Sequence, residues 1–230
     1  MTMTQGEAVT RLRQRLEEST ASMWTDPMLR RWLYEGAKDL ARYTESIEDK
    51  TTISVSSGTA EYSGPTNVVK IASILFTATG STLNNPLEYL DVDVAQGVFY
   101  TGSTGTPRAF TLWKPAPNMA IRLYPTPSLA GTLTVWYRRL PTALAFDDTS
   151  GDATAIDFPE AWLELILDYA EARALRRDRD PRWTESQGLY QQGREEMLIR
   201  TQRHADAPGA IYSTGAASAV AALEAYDSGW

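Results

Sequence analysis

The sequence predicts an α+β fold: a helical bundle formed by N- and C-terminal helices, an inserted antiparallel β-sandwich-like module, and an extended C-terminal tail. Three observations predict it. Apolar residues recur at helical spacing in residues 1–50 and again in 151–204. Between them, across 51–150, short alternating runs are separated by Gly, Pro and Asn. Residues 205–230 are an Ala/Ser/Gly mixture whose large apolar residues are too sparse to make a core.

Thr4-Gln5-Gly6-Glu7 reads as a capping box, with Val9, Leu12 and Leu16 following at helical spacing. A break is expected at Ser19-Thr20-Ala21-Ser22. Asp26-Pro27 then opens a second helix, Asp as N-cap and Pro at the first helical position. Leu29, Trp32, Leu33, Ala37 and Leu40 form its apolar stripe.

From Thr51 the period shortens to two. Ile53 and Val55 alternate with polar neighbours, and Asn67 to Phe76 is β-branched and apolar. Leu90, Val92 and Val94 alternate with Asp91 and Asp93. Phe110 and Leu112, then Met119, Ile121 and Leu123, then Leu133, Val135 and Tyr137 repeat the pattern. Gly102, Gly105-Thr106-Pro107, Pro115-Ala116-Pro117-Asn118 and Pro125-Thr126-Pro127 punctuate it. Such spacing predicts a sandwich or small barrel.

Leu140-Pro141 and Asp147 to Asp157 form an exit loop. Phe158-Pro159-Glu160 opens a third helix with Trp162, Leu163, Ile166, Tyr169, Ala170 and Ala174 on its apolar face, stopped by Pro181. Thr184 with Gln187 predicts another capping box. It starts a fourth helix that carries Leu189, Tyr190, Met197 and Leu198 and fades by His204. Neither flanking pair has enough surface to fold alone, so the two pairs pack as one bundle and the β module is an insertion with neighbouring ends.

Composition excludes several chemistries. The chain has no Cys, which removes disulfides, thiolate metal sites and Cys nucleophiles. No apolar run is long enough for a bilayer and no signal peptide is visible, so a soluble protein made inside a cell is expected, without a membrane partner. The net charge is −7, and no basic face of the kind that grips nucleic acid stands out. Seven Trp and eleven Tyr suit either a core or interfaces.

No constellation demands catalysis. His204 is the single histidine and sits near a helix C-terminus, where a cation is favoured. Asp91 and Asp93 share one face of the expected strand; a glycosidase would use such a pair, but a solvated strand face is the favoured reading, since nothing nearby supplies a distinguishable acid and base. Gly102-Ser103-Thr104-Gly105 lacks a phosphate-loop ending and reads as a hairpin tip. Exposed Trp113 and Trp136 would suit a carbohydrate- or receptor-binding module. No cofactor or metal is expected.

Two stretches point to partners. Arg173, Arg176, Arg177 and Arg179, interleaved with Asp178 and Asp180 and followed by Arg182, read as a salt-bridged helix end or a contact between subunits. Ile211, Tyr212, Leu223, Tyr226 and Trp230 read as anchors of an arm that orders on a partner.

From about Asp26 to about Arg179 the sequence resembles the head-to-tail adaptor (connector) proteins of tailed bacteriophages. The resemblance rests on Asp26-Pro27-Met28-Leu29 with Trp32, Val68-Val69-Lys70-Ile71-Ala72-Ser73-Ile74 and Gly105-Thr106-Pro107-Arg108-Ala109-Phe110. It continues in Ile121-Arg122-Leu123-Tyr124-Pro125-Thr126-Pro127, Gly131-Thr132-Leu133-Thr134-Val135-Trp136-Tyr137, Leu140-Pro141 and Phe158-Pro159-Glu160-Ala161-Trp162. It implies a structural protein and not an enzyme. It further implies self-association into a ring of about twelve copies, docked on the portal protein and followed by a tail, nozzle or next neck protein. DNA would pass through without specific binding. The expected location is the neck of the virion, after assembly in the host cytoplasm, with the C-terminal arm reaching the portal.

Overall fold

A computed structural model of the chain describes residues 3–18, 23–98, 102–113, 119–143 and 152–205. The expected break at Ser19–Ser22, the Pro115–Asn118 turn, much of the exit loop and the arm residues Ile211, Tyr212, Leu223, Tyr226 and Trp230 lie outside these residues. The chain divides into two compact units, one of residues 1–46 with 141–230 and the other of residues 47–140.

The helical unit begins with α1 (Gln5–Arg15). Thr4 Oγ1 accepts from the Glu7 amide at 3.2 Å and the Thr4 amide donates to Glu7 Oε2 at 2.8 Å, which completes the predicted capping box. Helix α2 (Asp26–Thr44) has Thr25, not Asp26, as its N-cap, with Pro27 in the first turn. Asp26 does not cap because its carboxylate is taken by Arg13, an ionic partner that outcompetes a backbone amide. The helix ends at Glu45, whose left-handed φ of 51° stops the α ladder.

Residues Glu160–Trp162 form a 3-10 turn that leads into α4 (Leu163–Asp178). Arg179 closes it in the left-handed conformation, φ 61°, before Pro181. Helix α5 (Trp183–Ala205) starts earlier than the expected capping box allows. Thr184 lies inside its first turn and donates to the Pro181 carbonyl at 3.0 Å, while Asp180 accepts the Arg182 amide at 2.9 Å. Leu189, expected on the apolar face, is 55% exposed; Tyr190 and Met197 carry the burial.

The bundle packs around α4, which is buried along most of its length through Leu163, Ile166, Leu167, Ala170, Ala172, Ala174 and Leu175. Helix α2 runs antiparallel to it, and a Cβ at Gly36 would stand 3.0 Å from the Tyr169 ring, so glycine permits the close approach. Leu29, Leu33 and Leu40 of α2 and Leu12 of α1 complete the apolar interior at 0% exposure.

In the second unit, β1 (Glu48–Val55), β10 (Gly131–Arg139), β3 (Val68–Ala78) and β4 (Asn85–Pro86) form one sheet in that spatial order. A second sheet runs β2 (Glu61–Ser63), β8 (Ala120–Tyr124), β7 (Ala109–Trp113), β5 (Glu88–Tyr89). All pairings in the two sheets are antiparallel except β5 with β7. Ile53, Val55, Ile74, Phe76, Leu133, Val135 and Tyr137 of the first sheet meet Phe110, Leu112, Ile121 and Leu123 of the second in one core. Alternation along each strand delivers these residues inward, as a sandwich requires. The entry and exit strands are neighbours: Glu48 pairs with Arg138, and the Arg139 amide donates to the Ile47 carbonyl at 3.0 Å.

Two details of the predicted strands differ. Leu90, Val92 and Val94 do not form a strand; α3 (Val92–Val98) is a short helix. Asp91 accepts the Asp93 amide at 3.2 Å and its carbonyl accepts the Ala95 amide at 2.9 Å, so local capping outcompetes alternation. Ala95 is then wholly buried against Ala109 and Tyr124. The Gly102–Gly105 stretch is not a hairpin tip: β6 (Thr104–Gly105) pairs in parallel with β9 (Thr126–Pro127).

Candidate assembly interfaces

The densest basic stretch lies where α4 unwinds. Arg179 in the left-handed conformation lets its own amide reach the Arg176 carbonyl at 3.2 Å and the Asp180 amide reach Leu175 at 3.0 Å. Arg173, Arg176, Arg177, Asp178 and Arg179 are all exposed. The expected lattice of salt bridges is partial. Arg173 donates to the Tyr169 hydroxyl at 3.2 Å and lies 3.9 Å from Glu35. The guanidinium of Arg176 stacks on Trp183 at 5.3 Å, and Arg177 donates to Met28 Sδ at 3.7 Å. Only Arg182 is clamped, by Asp180 at 2.8 Å and Glu17 at 3.6 Å. Hydrogen bonds from the Arg182 side chain and amide hold the Asp180 carboxyl below its usual range, and the carboxylate in turn raises Arg182. Aromatic and sulfur neighbours thus leave the charge of Arg176 and Arg177 directed to solvent.

Ion pairs that the sequence did not announce also tie the helical unit together. Arg15 of α1 reaches Asp168 and Glu164 at 2.6 Å each and Glu171 at 3.3 Å, all on α4. Burial alone would lower the Arg15 pKa, but the Asp168 hydrogen bond and the three carboxylates outweigh it and raise it. The guanidinium of Arg30, at 1% exposure, pairs with Asp152. A cleft of about 670 Å³ beside this pair has Thr4, Glu7, Val9, Arg11, Arg30 and Asp152 among its lining residues. The signal for such pairs is weak in sequence because their partners lie more than a hundred residues apart.

The remaining sequence candidates are dispersed. Asp91 and Asp93 sit at the start of α3, Asp91 as a cap, so they no longer share a strand face. Trp136 is half-buried on the outer face of the first sheet beneath Lys50, whose Nζ is 5.0 Å from the ring. Trp113, 49% exposed, lies on the outer face of the second sheet. Each ring alternates with a core residue of its own strand, so the two face opposite ways and form no shared platform. His204 falls in the last turn of α5. Among the described residues no three His, Asp or Glu side chains gather as metal ligands, and no helix is long and apolar enough to cross a membrane.

The gathered features are therefore a helical bundle with a cationic helix end, a β-sandwich, and a chain that continues beyond α5. No curated protein matches the sequence. The family model of the SU10 adaptor protein matches residues 3–215. That span is wider than the resemblance from about Asp26 to about Arg179: it includes α1, α5, and Ile211 and Tyr212, but stops before Leu223, Tyr226 and Trp230. The chain belongs to the SU10 adaptor protein family, and is a structural virion protein of the bacteriophage head-to-tail adaptor kind.

Proposed function

We propose that this subunit forms a ring that docks on the portal protein, extends the DNA channel and provides the platform for the tail, nozzle or next neck protein. The family match across residues 3–215 carries this reading. Its work is binding and geometry, not catalysis, at the neck of the virion after assembly in the host cytoplasm. A head-to-tail interface closes into a ring only at the right rotation per subunit, and the portal would template that closure at about twelve copies.

Two contacts belong to the proposal. Ile211, Tyr212, Leu223, Tyr226 and Trp230 anchor an arm on the portal, large rings being effective anchors at low rotamer cost. Arg173, Arg176, Arg177, Asp178 and Arg179 lie at a subunit contact, supported by their exposure and by the uncharged neighbours of Arg176 and Arg177, the Trp183 ring and Met28 Sδ. The test mixes the full chain with the cognate portal protein and sizes the product. A portal-bound multimer is expected, and a truncation lacking 208–230 should stay folded yet fail to dock. A full chain that never associates with portal overturns the ring reading; a truncation that docks normally removes the arm.

A further inference from the structure

The outward faces of α2 and α5 are complementary to each other. Along α2, Arg31 and Arg42 are exposed and Tyr34 and Lys38 lie half-buried between them, one stripe at helical spacing that carries three basic residues, with Glu35 at its edge. Along α5, solvent meets Glu185, Gly188, Leu189, Gln192, Glu196 and Ile199. Leu189 and Ile199 are 55% and 48% exposed on the same stripe.

The two stripes share a register. Arg31 to Arg42 and Glu185 to Glu196 are equal sequence steps, about 16 Å of helix each. Laid side by side in the same direction, Arg31 meets Glu185, Tyr34 meets Gly188, Lys38 meets Gln192 and Arg42 meets Glu196. A Cβ at Gly188 would touch nothing within 4 Å, so the surface there is open to a ring. The stems of the Arg and Lys residues supply apolar cover for Leu189.

Direction is the second requirement. In a ring of many copies each step is a small rotation, so neighbours present their elements in nearly the same direction. The two stripes can meet in parallel only if α2 and α5 already run in parallel within one chain. They do: Tyr190 bonds Asp39 and, further along both helices, Tyr43 bonds Glu195, each at 2.5 Å.

We infer that the α2 stripe of one copy packs in parallel on the α5 stripe of the next copy, and that this is the lateral seam of the ring. The inference rests on the ring reading above. Some of the groups have partners within the chain: Arg31 with Glu35 at 3.2 Å, Glu196 with Arg200 at 2.5 Å, and Lys38 over Tyr34 at 6.0 Å. The two ion pairs are exposed surface pairs four residues apart, weak enough for a neighbouring chain to exchange.

Because the chain has no Cys, a disulfide trap is unambiguous. Full-length chains carrying Lys38→Cys and others carrying Gln192→Cys are mixed, with and without the cognate portal protein, and oxidised. A mixed disulfide dimer is expected, at higher yield than either like pair. Adding Arg31→Glu and Arg42→Glu to the first chain should cut that yield about tenfold, and adding Glu185→Arg and Glu196→Arg to the second should restore it. Normal multimers without the mixed disulfide, or with a yield indifferent to charge reversal, overturn the seam and leave the ring reading standing. Absence of any multimer, alone or on portal, takes down both.

Discussion

The phenol of Tyr190 donates a 2.5 Å hydrogen bond to the carboxylate of Asp39, joining α5 to α2 across 151 residues of sequence. Arg194 approaches the same carboxylate oxygen at 3.4 Å and stacks on Tyr43 at 4.1 Å. A charge-assisted bond at the edge of a buried ring ties the last helix to the bundle. Tyr190→Phe keeps the packing and loses the bond. It should lower stability by about 1–2 kcal/mol in urea unfolding followed by helical circular dichroism, with Asp39 regaining water.

The same contact predicts an alkaline limit. Burial first, and then the bond to Asp39, push the Tyr190 phenol well above its ordinary value. The folded state therefore holds the proton more tightly than the unfolded chain. The stabilisation is complete below the unfolded pKa of about 10 and declines as pH rises beyond it. Wild-type stability should fall more steeply than that of Tyr190→Phe between about pH 10 and 11.5, and parallel curves would contradict the assignment.

At the other terminus, Thr4 and Glu7 exchange hydrogen bonds. Thr4→Ala should cost about 1 kcal/mol at neutral pH. The Thr4 amide first, and its hydroxyl interaction second, hold the Glu7 carboxyl below its usual range. A depressed acid stabilises above its unfolded pKa of about 4.3 and loses this as pH falls through the folded value. Melting curves of Glu7→Gln and wild type should therefore differ at pH 7 and converge in acid below about pH 4.

Two glycines of α5, five positions apart, should respond oppositely to alanine. A Cβ at Gly188 meets nothing within 4 Å, whereas at Gly193 it would stand 2.1 Å from Leu165 Cδ2. Gly188→Ala should gain roughly 0.5–1 kcal/mol from helix propensity. Gly193→Ala must rotate Leu165 within the α4–α5 contact and should be net destabilising in the same thermal melt.

In the sandwich, Gly131 opens β10 against the backbone of β3. A Cβ there would lie 2.4 Å from the Thr77 carbonyl oxygen and 2.7 Å from the Phe76 ring. A strand backbone paired on both sides cannot retreat as a side chain can. Gly131→Ala should destabilise by about 1–3 kcal/mol, read as a lower urea midpoint.

The sequence by itself determined the elements whose information is local or periodic. The Thr4 capping box, the stripe of Leu29, Leu33, Ala37 and Leu40, and the inward series Leu133, Val135 and Tyr137 follow from spacing, because burial of one face needs nothing beyond the period. It failed where local polar bonds compete with period, as at Asp91, whose cap turned an alternating run into α3. Only the tertiary structure decided which charges meet: Arg13 with Asp26, Arg15 with Asp168, Asp39 with Tyr190 and Arg194. It also decided which were left to face solvent, Arg176 and Arg177 at the end of α4 and the stripes of α2 and α5. Charge carries no period, and its partners are chosen by how helices far apart in sequence come to pack, so the surfaces through which this adaptor would assemble emerge only once the bundle has formed.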